Sequence, residues 1–285
     1  MSIGAVIILY HPDKEHVTRM INELAGGELR VTVVDNSPDK TVLPEASAHH
    51  YLFCGGNVGI AEAQNRGIHD CVRAGCSEVL ILDQDSKISL SIVRRLHEHL
   101  LAVMASEQRV AAVGPMLICE FSNKQVKPKL QKALSIKDNL SEVRQIIASG
   151  MLIPASAFER IGPKESELFI DGVDHEWCWR ARKQGYKVYQ ALDVGMPHRQ
   201  GDARHKICGL EFKQGSPVRL YYQVRNVLLL SRRSYVPFYW KCRHLMALPL
   251  RWMVNRWHFS DGQARGRYFV KGLLDGVRGK TGKLG

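Results

Sequence analysis

No two of the seven cysteines are spaced C-x-x-C, and their number is odd and their positions scattered: Cys54, Cys71, Cys76, Cys119, Cys178, Cys208 and Cys242. Neither a disulfide framework nor a zinc knuckle is therefore expected, and reduced thiols in a cytoplasmic protein are. Long apolar runs are missing too. No stretch reaches the roughly 18 uninterrupted apolar residues of a spanning helix, and the opening MSIGAVIILYHPDKE has neither a basic leader nor an apolar run long enough for a signal peptide. There is no internal repeat and no low-complexity tract. Acidic residues are scarce in one region only. From residue 199 to 285 there are 18 Lys and Arg against 4 Asp and Glu, whereas residues 1–198 are close to neutral, so the net charge of +12 belongs to the C-terminal third. A near-neutral body with a basic tail suggests that the tail meets anions: lipid headgroups, a diphosphate-linked substrate or nucleic acid.

What is present reads as an α/β domain. The 285 residues suffice for a sizeable core. Apolar runs at 4–10, 29–37, 50–55, 78–83 and 110–117 read as strands, and 12–25, 57–75 and 89–104 as helices. That alternation predicts βαβ crossovers and a mostly parallel sheet with helices on both faces. Residues 119–147 are polar and weakly patterned, which predicts a mobile loop or short helices. A helix is expected within 171–185 and a strand at 186–191; the remainder, basic and aromatic, reads as helical.

Ligands of an open α/β sheet gather at the carboxyl ends of its strands. There the sequence places Asp35, in VVDNS, and Asp83 with Asp85, in LILDQDS. Two carboxylates one residue apart repel unless a cation lies between them, and a D-x-D element suits Mg²⁺ or Mn²⁺ shared with substrate phosphates. The plainer reading is that these aspartates form a turn, or that Asp85 or Ser86 caps the helix starting near Ser89. The glycines of GGNVGIAEAQNRG (55–67) permit close backbone approach at a helix start, but their spacing fails the G-x-G-x-x-G dinucleotide fingerprint. In DGVDHEWCWRAR, Asp171 is placed to cap a helix and Asp174 to sit in its first turn as an available base. Glu176 and Arg180 can pair four residues apart, and Trp177, Cys178 and Ala181 face the core. His198 follows a strand and could join a metal shell, or be a surface residue.

In this order VDNS, GGNVGIAEAQNRG, LILDQDS, ASGMLIP, FIDGVDHEWCWRARKQGY and PHRQGD resemble the inverting family 2 glycosyltransferases of GT-A fold, over about residues 3–235. Within them the likeness is to bacterial rhamnosyltransferases of O-antigen and other cell-surface polysaccharides. The resemblance implies a GT-A domain at 1–202, a Rossmann-like sheet flanked by helices, and a basic helical extension at 203–285. It implies a nucleotide-sugar site at Asp35, Asn57, Asn65, Asp83 and Gln84, and Mg²⁺ or Mn²⁺ on Asp85, with Asp83 and His198. Acceptor contacts would come from Gly150, Glu176 and Trp177, with Trp179 beside it. Asp174 matches the family's catalytic base; Val173 stands where many relatives have Glu, which leaves Asp171 as a rival. The implied partners are dTDP-L-rhamnose and a polyprenyl-diphosphate-linked glycan, with the protein peripheral on the inner face of the cytoplasmic membrane and able to self-associate. Other family donors, such as UDP-galactofuranose or a UDP-hexose, are the near alternative. A non-enzymatic nucleic-acid-binding protein is the distant one, supported by charge but by no binding motif.

Overall fold

The structure, a computed structural model, describes residues 2–43, 49–119, 124–125, 134–198, 203–207 and 210–285. Four strands open the sheet: β1 (Ile3–Leu9), β2 (Arg30–Asp35), β3 (His50–Phe53) and β4 (Glu78–Asp83). They lie side by side as β3-β2-β1-β4 with every pairing parallel. Three helices make the crossovers: α1 (Lys14–Gly26), α2 (Ile60–Arg73) and α3 (Leu90–Ser106). Both faces of β1 and β4 are covered, which is why these strands read as continuous apolar runs rather than alternating ones.

Beyond β4 the parallel expectation changes. The remaining strands are β5 (Val110–Cys119), β6 (Lys124–Gln125), β7 (Ser135–Lys137), β8 (Leu140–Val143), β9 (Met151–Pro154) and β10 (Lys187–His198). β9 runs antiparallel between β4 and β5; β5 and β10 pair in parallel; β8 and β7 then add antiparallel at the edge. The sheet is therefore mixed, with β1 to β5 and β10 all running one way and β8 and β9 the other. Where 119–147 is described it forms short strands, not helices; the rest of that segment lies outside the described residues.

After β9 come α4 (Ala155–Ile161), a single 3₁₀ turn (Ser166–Leu168) and α5 (Val173–Lys183). Trp177, Cys178 and Ala181 are fully buried on α5's inner face, as the sequence predicts. The C-terminal region begins with a hairpin rather than a helix: β11 (Ala203–Ile207) and β12 (Leu210–Gln214) pair antiparallel. Helices α6 (Pro217–Ser231), α7 (Phe238–Met246), α8 (Leu248–Trp257) and α9 (Gly262–Arg278) follow. Val227, Leu229, Leu230, Val236 and Trp240 of this region share one core with Ala61, Leu168, Val173 and Trp179. The extension thus packs directly on the helix that carries the candidate base.

Candidate active site

β1, β2 and β4 end at one edge: Leu9 pairs with Asp35, and Ile8 with Asp83, in register. Asp35 is fully buried and both of its oxygens are occupied. They accept from the amides of Ser37 (3.0 Å) and Thr41 (2.6 Å) and from the Tyr51 hydroxyl (2.5 Å). Burial would raise this carboxyl's pKa, but the hydrogen bonds outweigh it and the pKa falls below the ordinary value. Burial and Asp35 together push the Tyr51 hydroxyl up to about 12. Asp35 in this way holds the loop after β2. Asn36 extends the arrangement, accepting from the Val58 amide (2.8 Å) and donating to Asn57 (3.2 Å), whose oxygen also accepts from the Gly59 amide (3.0 Å).

At the end of β4, Asp83 is half-buried and its carboxylate accepts a short hydrogen bond from the Ser149 hydroxyl. A turn follows in which Ser86 reaches back to Asp83: the Ser86 amide donates to the Asp83 carbonyl (3.0 Å) and the Ser86 hydroxyl accepts from the Asp83 amide (3.0 Å). Ser89, not Asp85 or Ser86, caps α3. Asp85 is left exposed at the tip of that turn. Gln84 turns inward and clamps the Tyr10 backbone, accepting from its amide (2.6 Å) and donating to its carbonyl (3.0 Å), so it ties β1 to β4.

Asp174 lies in the first turn of α5, where the helix dipole favours a carboxylate. One oxygen accepts from the Ala148 amide (3.0 Å) and the other from the buried Lys164 ammonium (2.7 Å). Three consecutive residues ahead of β9 therefore join the two acidic centres: Ala148 holds Asp174, Ser149 holds Asp83, and the Gly150 amide donates to the Ile81 carbonyl (2.9 Å). Gly150 has φ +79°, and a Cβ there would come within 2.7 Å of Pro115, so only glycine fits this crossing. Nothing local in the sequence signals Ser149 or Lys164.

Asp171 does not cap α5. The cap position is Gly172, and the Asp171 carboxylate takes a forked ion pair from Arg219 of α6 (2.9 and 3.0 Å). Other basic groups gather on the same side. Burial lowers the pKa of Arg251, against the pull of Asp171, and pushes His244 down to about 4, with Arg251 and Arg243 adding to that fall. His175 is likewise lowered by burial. Both imidazoles are consequently neutral near pH 7.

Other expected site residues lie elsewhere. Asn65 is buried and bonded in both directions to Lys164 (2.8 and 2.9 Å), so it fixes the Lys164 loop. Trp177 is fully enclosed and donates to the Gly162 carbonyl (2.9 Å), a packing residue rather than a pocket wall, whereas the buried Trp179 donates to Gln145 (2.7 Å) and lines a cavity of about 500 Å³ with Arg144, Arg182 and Tyr235. Glu176 is buried against Arg180 (2.9 Å) and Tyr235 (2.7 Å). It borders a cavity of about 660 Å³ between α2, the 163–166 segment and Arg233. Across that cavity Arg233 pairs with Glu165, Arg180 with Glu176 and Arg66 with Glu62, while its Lys164 pairs with Asp174 on α5. His198 ends β10 opposite Cys119; its side chain lies outside the described atoms.

The donors at the β4 end fit a hard divalent ion. Asp85 offers an exposed carboxylate with Asp83 two residues away, an all-oxygen pair of the kind that Mg²⁺ and Mn²⁺ complete with water and phosphate. No group of three or more His, Cys, Asp or Glu among the described residues forms a cage by itself.

No protein-family profile matches the chain. Among curated proteins it is 31% identical over 300 residues to the dTDP-rhamnosyl transferase RfbF of Shigella flexneri, covering 99% of this chain and 97% of that protein. It is 25% identical over 297 residues to the low-salt glycan biosynthesis hexosyltransferase Agl10 of Haloferax volcanii, covering 98% and 92%. Among solved structures, GalNAc-T7 with UDP, GalNAc and Mn²⁺ superposes with a TM-score of 0.59 at 13% identity over 98% of this chain, which spans 56% of that one. S. aureus TarS 1-349 gives 0.57 at 13% identity, over 97% and 81%. Sequence likeness along the whole chain and a shared architecture agree: this chain belongs to the GT-A glycosyltransferases, among their rhamnosyltransferase-like members.

Proposed function

We infer that the protein transfers L-rhamnose from dTDP-L-rhamnose, with inversion, to a lipid-linked glycan acceptor in the building of a cell-surface polysaccharide such as O-antigen. The observation that carries this reading is the Ala148–Ser149 pair, which binds the base candidate Asp174 and the strand-end Asp83 through neighbouring atoms of one segment. A base and a leaving-group site must lie on opposite sides of one anomeric carbon, and the reach of a single segment to both carboxylates supports reading them as parts of one site.

In that cleft the loop held by Asp35, Asn36 and Asn57 would receive the nucleotide. Asp85, assisted by Asp83 and His198, would hold Mg²⁺ or Mn²⁺, which when bound neutralises charge on the departing nucleoside diphosphate. Asp174 would take the proton of the acceptor hydroxyl as its oxygen attacks, at a working distance of about 2.6–3.2 Å. Asp174 is preferred over Asp171 because its fixing atoms are those that also reach Asp83, whereas Asp171 is committed to Arg219 on α6.

The division of labour follows: residues 1–202 would carry donor chemistry and residues 203–285 would face the acceptor and an anionic membrane surface. Residues 212–260 hold nine Lys and Arg and no Asp or Glu. No helix among the described residues is long and apolar enough to cross a membrane, so the contact would be peripheral. The name of Agl10 supports a second reading in which the sugar is a hexose. Transfer assays over a panel of nucleotide sugars decide between them: dTDP-L-rhamnose is expected to be turned over at least about tenfold faster than UDP-hexoses, and the reverse order overturns the rhamnose assignment. In the same assay Asp174→Asn should lose on the order of 10³-fold in kcat and keep its affinity for dTDP with Mn²⁺. Retained transfer there, with loss on Asp171→Asn alone, would move the base.

A further inference from the structure

The five residues ahead of α5 are held in a shape the chain does not adopt freely. Phe169 has φ 65° and ψ −64°, with the Ile170 amide donating to the Leu168 carbonyl (2.8 Å): a γ-turn of the rare, strained hand. Asp171, at φ 66°, and Gly172, at φ 87°, are both left-handed. Such a run persists only where its surroundings over-determine it. Asp174 begins two residues later, so the aim of the candidate base depends on this turn.

Two adjacent residues of α6 supply most of the constraint. The Asn226 side-chain amide donates to three main-chain carbonyls of the turn, those of Leu168 (2.9 Å), Ile170 (2.7 Å) and Asp171 (2.9 Å). Its own oxygen accepts from Arg225 Nε (3.0 Å), which fixes which way the amide points. The fully buried Arg225 guanidinium donates to the carbonyls of Leu168 (2.9 Å) and Gly282 (2.5 Å) and lies over the rings of Tyr222 and Tyr221 at 5.0 and 5.5 Å. Tyr222 in turn stacks on Phe169, with ring centroids 4.8 Å apart and planes 16° apart. On the far side the Ile60 amide at the start of α2 donates to the Phe169 carbonyl (2.8 Å), and a Cβ at Gly59 would come within 2.7 Å of the Phe169 ring. Among the described residues the hydrogen bonds of the buried Arg225 go to main-chain carbonyls and to Asn226.

We propose that Arg225 and Asn226 are positioning residues for glycosyl transfer, clamping the Leu168–Gly172 turn so that α5 presents its first-turn carboxylate to the acceptor hydroxyl. The proposal rests on the reading of α5 as the source of the base. It also makes the C-terminal region part of the catalytic apparatus, because the clamp belongs to α6 and not to the donor-binding sheet.

The test is a mutant cycle in the full chain: wild type, Asn226→Ala, Asp174→Asn and the double variant, assayed for transfer and for dTDP binding with Mn²⁺. Asn226→Ala is expected to lower kcat about 100-fold, as a displaced reacting group does, with dTDP affinity changed less than about twofold. In the Asp174→Asn background the same substitution should cost less than about threefold, because a base already absent cannot be misplaced. Equal losses in both backgrounds, or a parallel loss of dTDP binding, assign Asn226 a merely structural role and overturn the proposal. So does an unchanged kcat. Should Asn226→Ala fail to fold, Asn226→Ser, which keeps one donor, is read in the same cycle with a smaller loss expected. Full transfer by Asp174→Asn overturns the base assignment instead; the cycle is then run against Asp171→Asn, which the same turn positions.

Discussion

Asp35 shows how a single buried side chain organises the loop after β2 without facing outward. Its three donors, Ser37, Thr41 and Tyr51, come from both sides of the loop after β2. Asp35→Asn turns one of its two acceptor oxygens into a donor that confronts another donor, and should cost about 2 kcal/mol of folding stability at pH 7. The pH dependence carries a sign. Because the folded carboxyl lies below its unfolded value of about 3.9, its contribution is present above that pH and lost as pH falls through the folded value. Urea unfolding of wild type and variant should therefore show a constant gap from pH 7 to about 5 that narrows only below about 4. A gap that closed near pH 6 would point to a histidine rather than to Asp35.

Between elements, legibility followed the range of the interaction. The runs in β1, β2 and β4 were readable because burial on both faces leaves them mostly apolar, and the Glu176–Arg180 pair because it spans one helical turn. β7, β8 and the β11–β12 hairpin were missed because they are short and mostly edge strands, which need no apolar pattern. The antiparallel insertion of β9 was not readable because it enters from 70 residues downstream and its MLIP reads alike in either direction. Asp83, Asp85 and Asp174 were singled out as candidates by residue type and position. The atoms that bring Asp83 and Asp174 together, on Ala148 and Ser149, lie 66 and 26 residues away in sequence and carry no local signal. Trp177 has a residue type suited to a pocket, yet long-range packing encloses it, while Asn65 bonds the Lys164 backbone at the wall of the cavity beside α2.

Helices α7 and α8 argue for a function at their own scale. Met246, Leu250, Met253 and Trp257 follow at intervals of four, three and four, the spacing of one helical face, and all are exposed, Met246 to 80% and Trp257 to 64%. Phe238, also 80% exposed, stands at the start of the same pair of helices. With Lys241, Arg243, Arg251 and Arg256 beside it, this face suits an anionic headgroup layer. Replacing Met253 and Trp257 by Ser should lower sedimentation with phosphatidylglycerol vesicles about tenfold and leave transfer to a short water-soluble acceptor unchanged. Equal binding by the variant, or equal binding of the wild type to neutral vesicles, would remove the membrane reading.

For the whole molecule, the charge map and the shared core tell one story. The cationic third packs on α5 through Trp240, Val227 and Leu230, and its helix α6 grips the turn that aims Asp174. In the proposed function, donor chemistry at the strand ends and acceptor chemistry under the basic helices would thereby be coupled through α5. The measurement that tests this most directly is a crystal structure of the protein with dTDP and Mn²⁺. The account predicts the metal on Asp85 with the diphosphate beside Asp83, and Asp174 across the open cleft from it. Nucleotide or metal seated instead in the ion-paired cavity between α2 and Arg233, with the β4 end bare, would contradict it.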